Sequence, residues 1–217
     1  MASARARPAL HQAAEQVIAV QAHYAAAGVG LAQAALGGAR RFDTLRHYPA
    51  GDVIDRAGHS QFYYHAHDSH RRPALEHGHF HLFVRGSEPG GFFHLAALSL
   101  DAHGWPLRWF TTNRWVTGER WVDATTAIAA IPGFQPRAQG RLAPVARWLS
   151  AMVALHADAL AALLRRRDTM VARRLQHTPA EQLFEDRRLD VITQTQVSLP
   201  RRLQHIAGMA RPTPQET

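Results

Sequence analysis

Nine of the chain's 15 histidines lie between His59 and His103. Five of them form two alternating runs, His65-Ala66-His67 and His77-Gly78-His79-Phe80-His81. An extended chain points residues i, i+2 and i+4 to one face, so each run presents its imidazoles as a row. Two such rows on neighbouring strands enclose a space of metal size. Imidazole is the commonest protein ligand for zinc, iron, copper and nickel, and near neutral pH it also serves as nucleophile or acid–base group. The chain has no cysteine, which excludes disulfides, thiolate metal sites, iron–sulfur clusters and cysteine nucleophiles. Any metal must therefore be held by nitrogen and oxygen.

Pairing arithmetic brings the rows together. A hairpin centred on Arg72 sets His65 opposite His79, His67 opposite His77 and Tyr63 opposite His81, with directly opposed Cβ atoms roughly 4.5–5.5 Å apart. Centring the next hairpin on Glu88-Pro89 puts His94 beside Phe83, and a third near His103-Gly104 brings Asn113 opposite His94 and Thr111 opposite Ala96. One face then carries His65, His67, His77, His79, His81, His94, Thr111 and Asn113. The reverse face carries Tyr64, Ala66, Phe80, Leu82, Val84, Phe93, Leu95 and Phe110, an apolar surface for helices. A slip of one residue in any pair would reverse these assignments. A plain solvent face would also alternate polar and apolar residues, but aligned histidines are an unusual way to build one.

The candidate metal ligands are His65, His67, His79, His81 and His94. Glu76, just before the second run, is an oxygen ligand, a carboxylate that orients a ring nitrogen, or a loop residue. Arg114 and Asn113, in the string Thr112-Asn113-Arg114-Trp115, complete the candidate catalytic set, since an arginine flanked by aromatic rings can clamp a carboxylate or phosphate. Packing of the same arginine and tryptophans between sheet and helices explains that string equally well.

These residues need a sheet. Four segments, Gln61–Asp68, His77–Arg85, Phe92–Leu100 and Leu107–Val116, are aromatic-rich or alternating and separated by turn chemistry, which predicts four consecutive antiparallel strands. Helical spacing predicts a helix over about 9–36, disturbed at Gly28 and Gly30, and C-terminal helices over about 123–210. Asp123 or Thr125 caps a short one through Ile131. Leu142 to Leu163 marks a long amphipathic one, and Thr178-Pro179-Ala180-Glu181 starts another. Arg40 to Ser60 reads as irregular, Leu189 to Val197 as helix or strand, and the tail from Pro212 as disordered. The expected fold is α+β: one domain over residues 1–217, a four-stranded antiparallel meander with N- and C-terminal helices on one face.

With 217 residues and 46% hydrophobic content, the chain can bury a sizeable core. Its net charge of +8 is carried by arginine alone, because lysine is absent; lysine-base and Schiff-base chemistry are excluded. The arginines are scattered as pairs and one triplet without a nucleic-acid motif, so they read as solvated helix faces and no nucleic-acid partner is expected. No apolar run reaches the ~20 residues that span a bilayer, and polar residues interrupt the N-terminal segment, so no membrane partner and a cytoplasmic location are expected.

Three resemblances accompany these residues. His77-Gly78-His79-Phe80-His81-Leu82-Phe83 resembles the histidine-triad hydrolase motif, which implies that His79 attacks a nucleotide phosphate. His65-x-His67 with Glu76, followed by Pro89-x-Gly91-x-x-His94, is similar to the two cupin motifs, which imply a nitrogen-and-oxygen metal site in a β-sheet. The strings Phe62-Tyr63-Tyr64-His65-Ala66-His67, Glu76-His77-Gly78-His79-Phe80-His81-Leu82-Phe83 and Thr112-Asn113-Arg114-Trp115-Val116-Thr117-Gly118-Glu119 together resemble a bacterial family of unknown function over roughly residues 40 to 200. The leading expectation is a mononuclear non-haem metalloenzyme with a divalent metal (iron, manganese or zinc), acting on a small polar or anionic substrate as oxygenase or hydrolase. Phosphoryl or nucleotidyl transfer by His79, and a non-catalytic metal-binding or interaction module, stand as alternatives.

Overall fold

The computed structural model of the chain describes residues 6–68, 73–86 and 91–209. The expected turn around Arg72, most of the Glu88–Gly91 turn and the tail from Pro212 lie outside these residues. Two helices, α1 (Ala6–Ala26) and α2 (Leu31–Ala35), precede five strands: β1 (Tyr48–Asp55), β2 (Ser60–His65), β3 (Gly78–Arg85), β4 (Phe92–Leu100) and β5 (Pro106–Thr112). Then come α3 (Arg114–Thr117), α4 (Ala124–Ala130), α5 (Ala143–Leu155), α6 (Ala157–Leu175), α7 (Ala180–Phe184), β6 (Val191–Gln196) and α8 (Leu199–Met209).

The sheet is antiparallel, in the order β1-β2-β3-β4-β5-β6, so it has six strands rather than the expected four. The two additions are its edges. β1 occupies a stretch that reads as irregular because Pro49, Gly51 and Asp52 interrupt it; Gly51 and Asp52 both have positive φ, and pairing with β2 shifts register between Tyr48 and Val53. An edge strand tolerates these residues because one side of its backbone needs no partner. β6 settles the Leu189–Val197 ambiguity: Thr111 pairs with Thr193 and Phe110 with Gln194.

Every second residue of the strands faces the helices. The cross-strand row Tyr48, Tyr64, Phe80, Leu98 and Trp109 is buried in the main core with Val17 and Val20 of α1, Leu149 and Met152 of α5, and Leu160 and Leu163 of α6. The long helix expected from Leu142 to Leu163 is two helices that meet at His156 with a 73° bend. The His156 ring lies against the carbonyl of Met152. Asp123 caps α4 as expected, its side chain accepting from the Thr126 amide. Thr178 does not cap α7, which starts from Pro179 without a side-chain cap. Among the described residues no single helix is long and apolar enough to cross a membrane.

Candidate metal centre

The other face of the sheet carries the histidines. The β2–β3 register pairs His65 with His79 and Tyr63 with His81, as the hairpin arithmetic requires. His94 pairs with Phe83, also as the arithmetic requires, and so shares the face of His79 and His81; just beyond it β4 bulges, since Leu82 pairs with Ala96, which leaves Leu95 without a partner in β3. An extra residue reverses which side chains share a face. Beyond the bulge the site face therefore carries Ala97 and Ser99 in place of Ala96 and Leu98. Since Ala97 pairs with Phe110 and Ser99 with Arg108, the site face of β5 carries Phe110 and Arg108. Thr111 faces the helices instead, where its hydroxyl lies 2.8 Å from that of Thr193.

Three imidazole nitrogens converge. His65 Nε2 lies 2.8 Å from His79 Nε2, which lies 3.2 Å from His81 Nε2. All three residues are buried, and each offers one nitrogen to a common point that can hold a metal ion. Metal–nitrogen bonds of ~2.0–2.1 Å place ligand nitrogens about 2.8–3.0 Å apart at a right-angle bite and about 3.3–3.4 Å apart in a tetrahedron. The observed spacings fall in that range.

The far nitrogens fix the tautomers. His79 Nδ1 lies 2.7 Å from Glu76 Oε1; an N–H donated there leaves the Nε2 lone pair free. His81 Nδ1 lies 3.0 Å from His94 Nε2, and His94 Nδ1 lies 3.2 Å from Thr112 Oγ1. Donation from His81 to His94 and on to the threonine hydroxyl again leaves His81 Nε2 unprotonated. Ligand histidines generally donate their second N–H to such a partner. Burial pushes the His65 pKa down to about 2, with the neighbouring His79, His67 and His47 adding to the effect. Burial likewise holds His81 well below its ordinary value, followed by His79 and His94, and lowers His94 to about 3, followed by Arg167 and His79. Neutral imidazole is the ligand form.

Each remaining candidate has a definite place. His67 is half-buried beside the triad, its ring stacked on His79 at 5.4 Å and edge-on to His65 at 4.9 Å. His77 is stacked on Phe42, with Nδ1 2.9 Å from the hydroxyl of Tyr64. Glu76 is buried and also accepts from Arg108 Nη2 at 3.1 Å. Burial pushes its carboxyl up, but His79 and Arg108 outweigh this and hold it below its ordinary value. Asn113 caps α3 and donates to the Leu183 carbonyl at 2.8 Å. Arg114 pairs with Glu185 at 2.7 Å, over the Phe184 ring. Those two tie the sheet to α7.

Several neighbours lie outside the candidate set, among them Phe110, which the expected register puts on the reverse face. Phe110 meets His79 edge-on at 5.1 Å, and Thr112 reaches His94. Glu119 accepts from the His94 amide, and burial pushes its carboxyl up to about 7. His47 stacks on Tyr63 at 3.6 Å, its Nδ1 held 3.0 Å from Asp52. Gly78 lets β2 approach, since a Cβ there would lie 2.6 Å from the His65 carbonyl oxygen and 2.7 Å from the Tyr64 hydroxyl. The cavity of about 810 Å³ lined by Leu10, Phe134, Ala154 and Met209 shares no residue with this cluster. Cavity size and chemistry thus point to different places, and the convergent polar groups carry the greater weight.

No curated protein matches this chain, and no solved structure does. The domain of unknown function DUF6969 matches residues 11–197, a span that contains the whole sheet and every member of the histidine cluster. The chain belongs to that family.

Proposed function

We propose that the protein is a mononuclear non-haem metalloenzyme whose divalent ion (iron, manganese or zinc) is held by His65, His79 and His81, with His67 at the rim of the site. The observation that carries this reading is the convergence of three buried imidazole nitrogens, with the opposite nitrogens of His79 and His81 already committed to Glu76 and His94. Three protein ligands leave a coordination position open, and the ion would supply Lewis acidity, lowering the pKa of a bound water or binding an oxidant. The chain's own residues set the conditions. Glu76 and the His94–Thr112 pair lock two ring orientations, while Tyr63, Phe83 and Phe110 exclude water around the imidazoles. A small polar or anionic substrate fits the basic character of the chain.

Phosphoryl transfer by His79 fits less well. The His79 ring is buried, and its Nε2 faces His65 and His81 at hydrogen-bond distance rather than a substrate.

Cobalt substitution tests the proposal. Metal-free protein titrated with Co²⁺ should develop visible d–d bands that saturate at one equivalent, and added azide should shift those bands through the open position. Bands that azide leaves unchanged would make the site a closed, non-catalytic one. No saturable bands would remove the metal reading.

A further inference from the structure

Among the described residues, six buried side-chain polar atoms have no hydrogen-bond partner: His65 Nδ1, Ser99 Oγ, Arg108 Nε, Trp109 Nε1, Thr117 Oγ1 and Trp148 Nε1. The first three belong to one cross-strand row. His65 pairs with His79, His79 with Ser99 and Ser99 with Arg108, so all four side chains rise from the same face side by side, with paired Cβ atoms roughly 4.5–5.5 Å apart. A buried donor left unpaired is costly. Two of these atoms, Ser99 Oγ and Arg108 Nε, lie on neighbouring strands beside the candidate metal centre and call for a bound group that satisfies them.

From this row we infer that Ser99 and Arg108 form a subsite for an anionic oxygen, the carboxylate of a small organic acid, next to the ion held by His65, His79 and His81. The inference rests on the metal reading. The Arg108 side chain is 13% exposed, so the guanidinium borders solvent. Its Nη2 donates to Glu76, its Nη1 to Gln194, and its plane lies 4.6 Å from the Phe110 ring centroid. These contacts fix the group and leave Nε–H to donate, beside a serine hydroxyl that is fully buried and equally free to donate. Charge points the same way. Imidazole ligands add no negative charge, and the Glu76 carboxylate is matched by Arg108, so a divalent ion here retains two positive charges without a protein anion. A carboxylate with one oxygen towards the ion and the other towards Ser99 and Arg108 supplies the missing charge and both acceptors. Phosphate, with more oxygens to satisfy, would call for more donors than these two.

The test uses cobalt-loaded protein titrated with acetate and, separately, with inorganic phosphate, read from the visible bands. Wild type should bind acetate saturably and more tightly than phosphate. Ser99→Ala, which removes one small hydroxyl from the sheet, should take up the same one equivalent of cobalt and lose roughly 3- to 10-fold in acetate affinity. Arg108→Lys should lose roughly 10- to 100-fold. Cobalt uptake with no response to acetate, or equal acetate affinity in wild type and both variants, would overturn the subsite while leaving the metal centre standing. Tighter phosphate binding would overturn the carboxylate assignment. If no cobalt is taken up, the metal reading falls by itself. Calorimetry of acetate with metal-free wild type and variants then decides the subsite, and absent or variant-independent binding overturns it.

Discussion

Replacing Glu76 by glutamine separates a metal-centre role from a purely structural one. The Glu76 carboxylate is 3% exposed, with one oxygen 2.7 Å from His79 Nδ1 and the other 3.1 Å from Arg108 Nη2. Glutamine preserves the shape but has one carbonyl oxygen for two donors, and its amide faces one of them with N–H against N–H. Loss of a carboxylate partner to a ligand histidine typically lowers metal affinity about 10- to 100-fold, or about 1.4–2.7 kcal/mol. Folding stability of the metal-free protein should fall by about 1–3 kcal/mol, because Arg108 loses its charged partner near solvent. Competition for Zn²⁺ against a chromophoric chelator gives the first quantity, and urea unfolding of chelator-treated protein gives the second. A Glu76→Gln variant that loses stability yet binds zinc within twofold of wild type would make Glu76 only a buried ion pair with no part in the metal centre.

Acid should destabilise the metal-free fold well above the carboxylate range. The pKa values of His65, His81 and His94 are all lowered in the fold, while unfolded histidine titrates near 6.5. Below that value the unfolded chain binds more protons, so stability is full above pH 6.5 and falls as pH drops, by up to about 1.4 kcal/mol per unit for each group. Glu119, raised to about 7, has the opposite sign: its contribution is present below the ordinary glutamate value and lost as pH rises through 7. Three groups outweigh one, so the urea midpoint should drop steeply between pH 6.5 and 5; an unchanged midpoint would contradict neutral buried histidines. Gly78→Ala should cost about 1–3 kcal/mol by pushing a methyl group against the His65 carbonyl, and it should weaken zinc binding in the same competition assay. Unaltered affinity would show that the β2–β3 approach at Gly78 does not set the triad.

The paired histidine runs were legible in the sequence because alternation and hairpin symmetry together fix His65 against His79 and Tyr63 against His81, without reference to any distant segment. The remainder of the site depended on one residue. Nothing in the string Phe92-Phe93-His94-Leu95-Ala96-Ala97 marks Leu95 as a bulge, because an apolar residue fits the core whichever way the strand turns there. That bulge exchanges Thr111 and Asn113 for Phe110 and Arg108 on the site face, so the arginine bonded to Glu76 was invisible while Arg114, in a more eye-catching string, drew attention. The edge strands were hidden for a related reason. β1 contains the proline and glycine that mark turns, and β6 follows the 78 residues 113–190, mostly of helical pattern, before pairing with β5. His156 separates α5 from α6 without a proline or glycine to announce the break.

Whether this face of the sheet holds a metal ion is decided by elemental analysis of untagged protein beside a His65→Ala/His79→Ala variant. The wild type should contain close to one equivalent of iron, manganese or zinc, and the variant should fold without that metal. A wild type without metal that also fails to bind any of the three when they are added would contradict the metal reading.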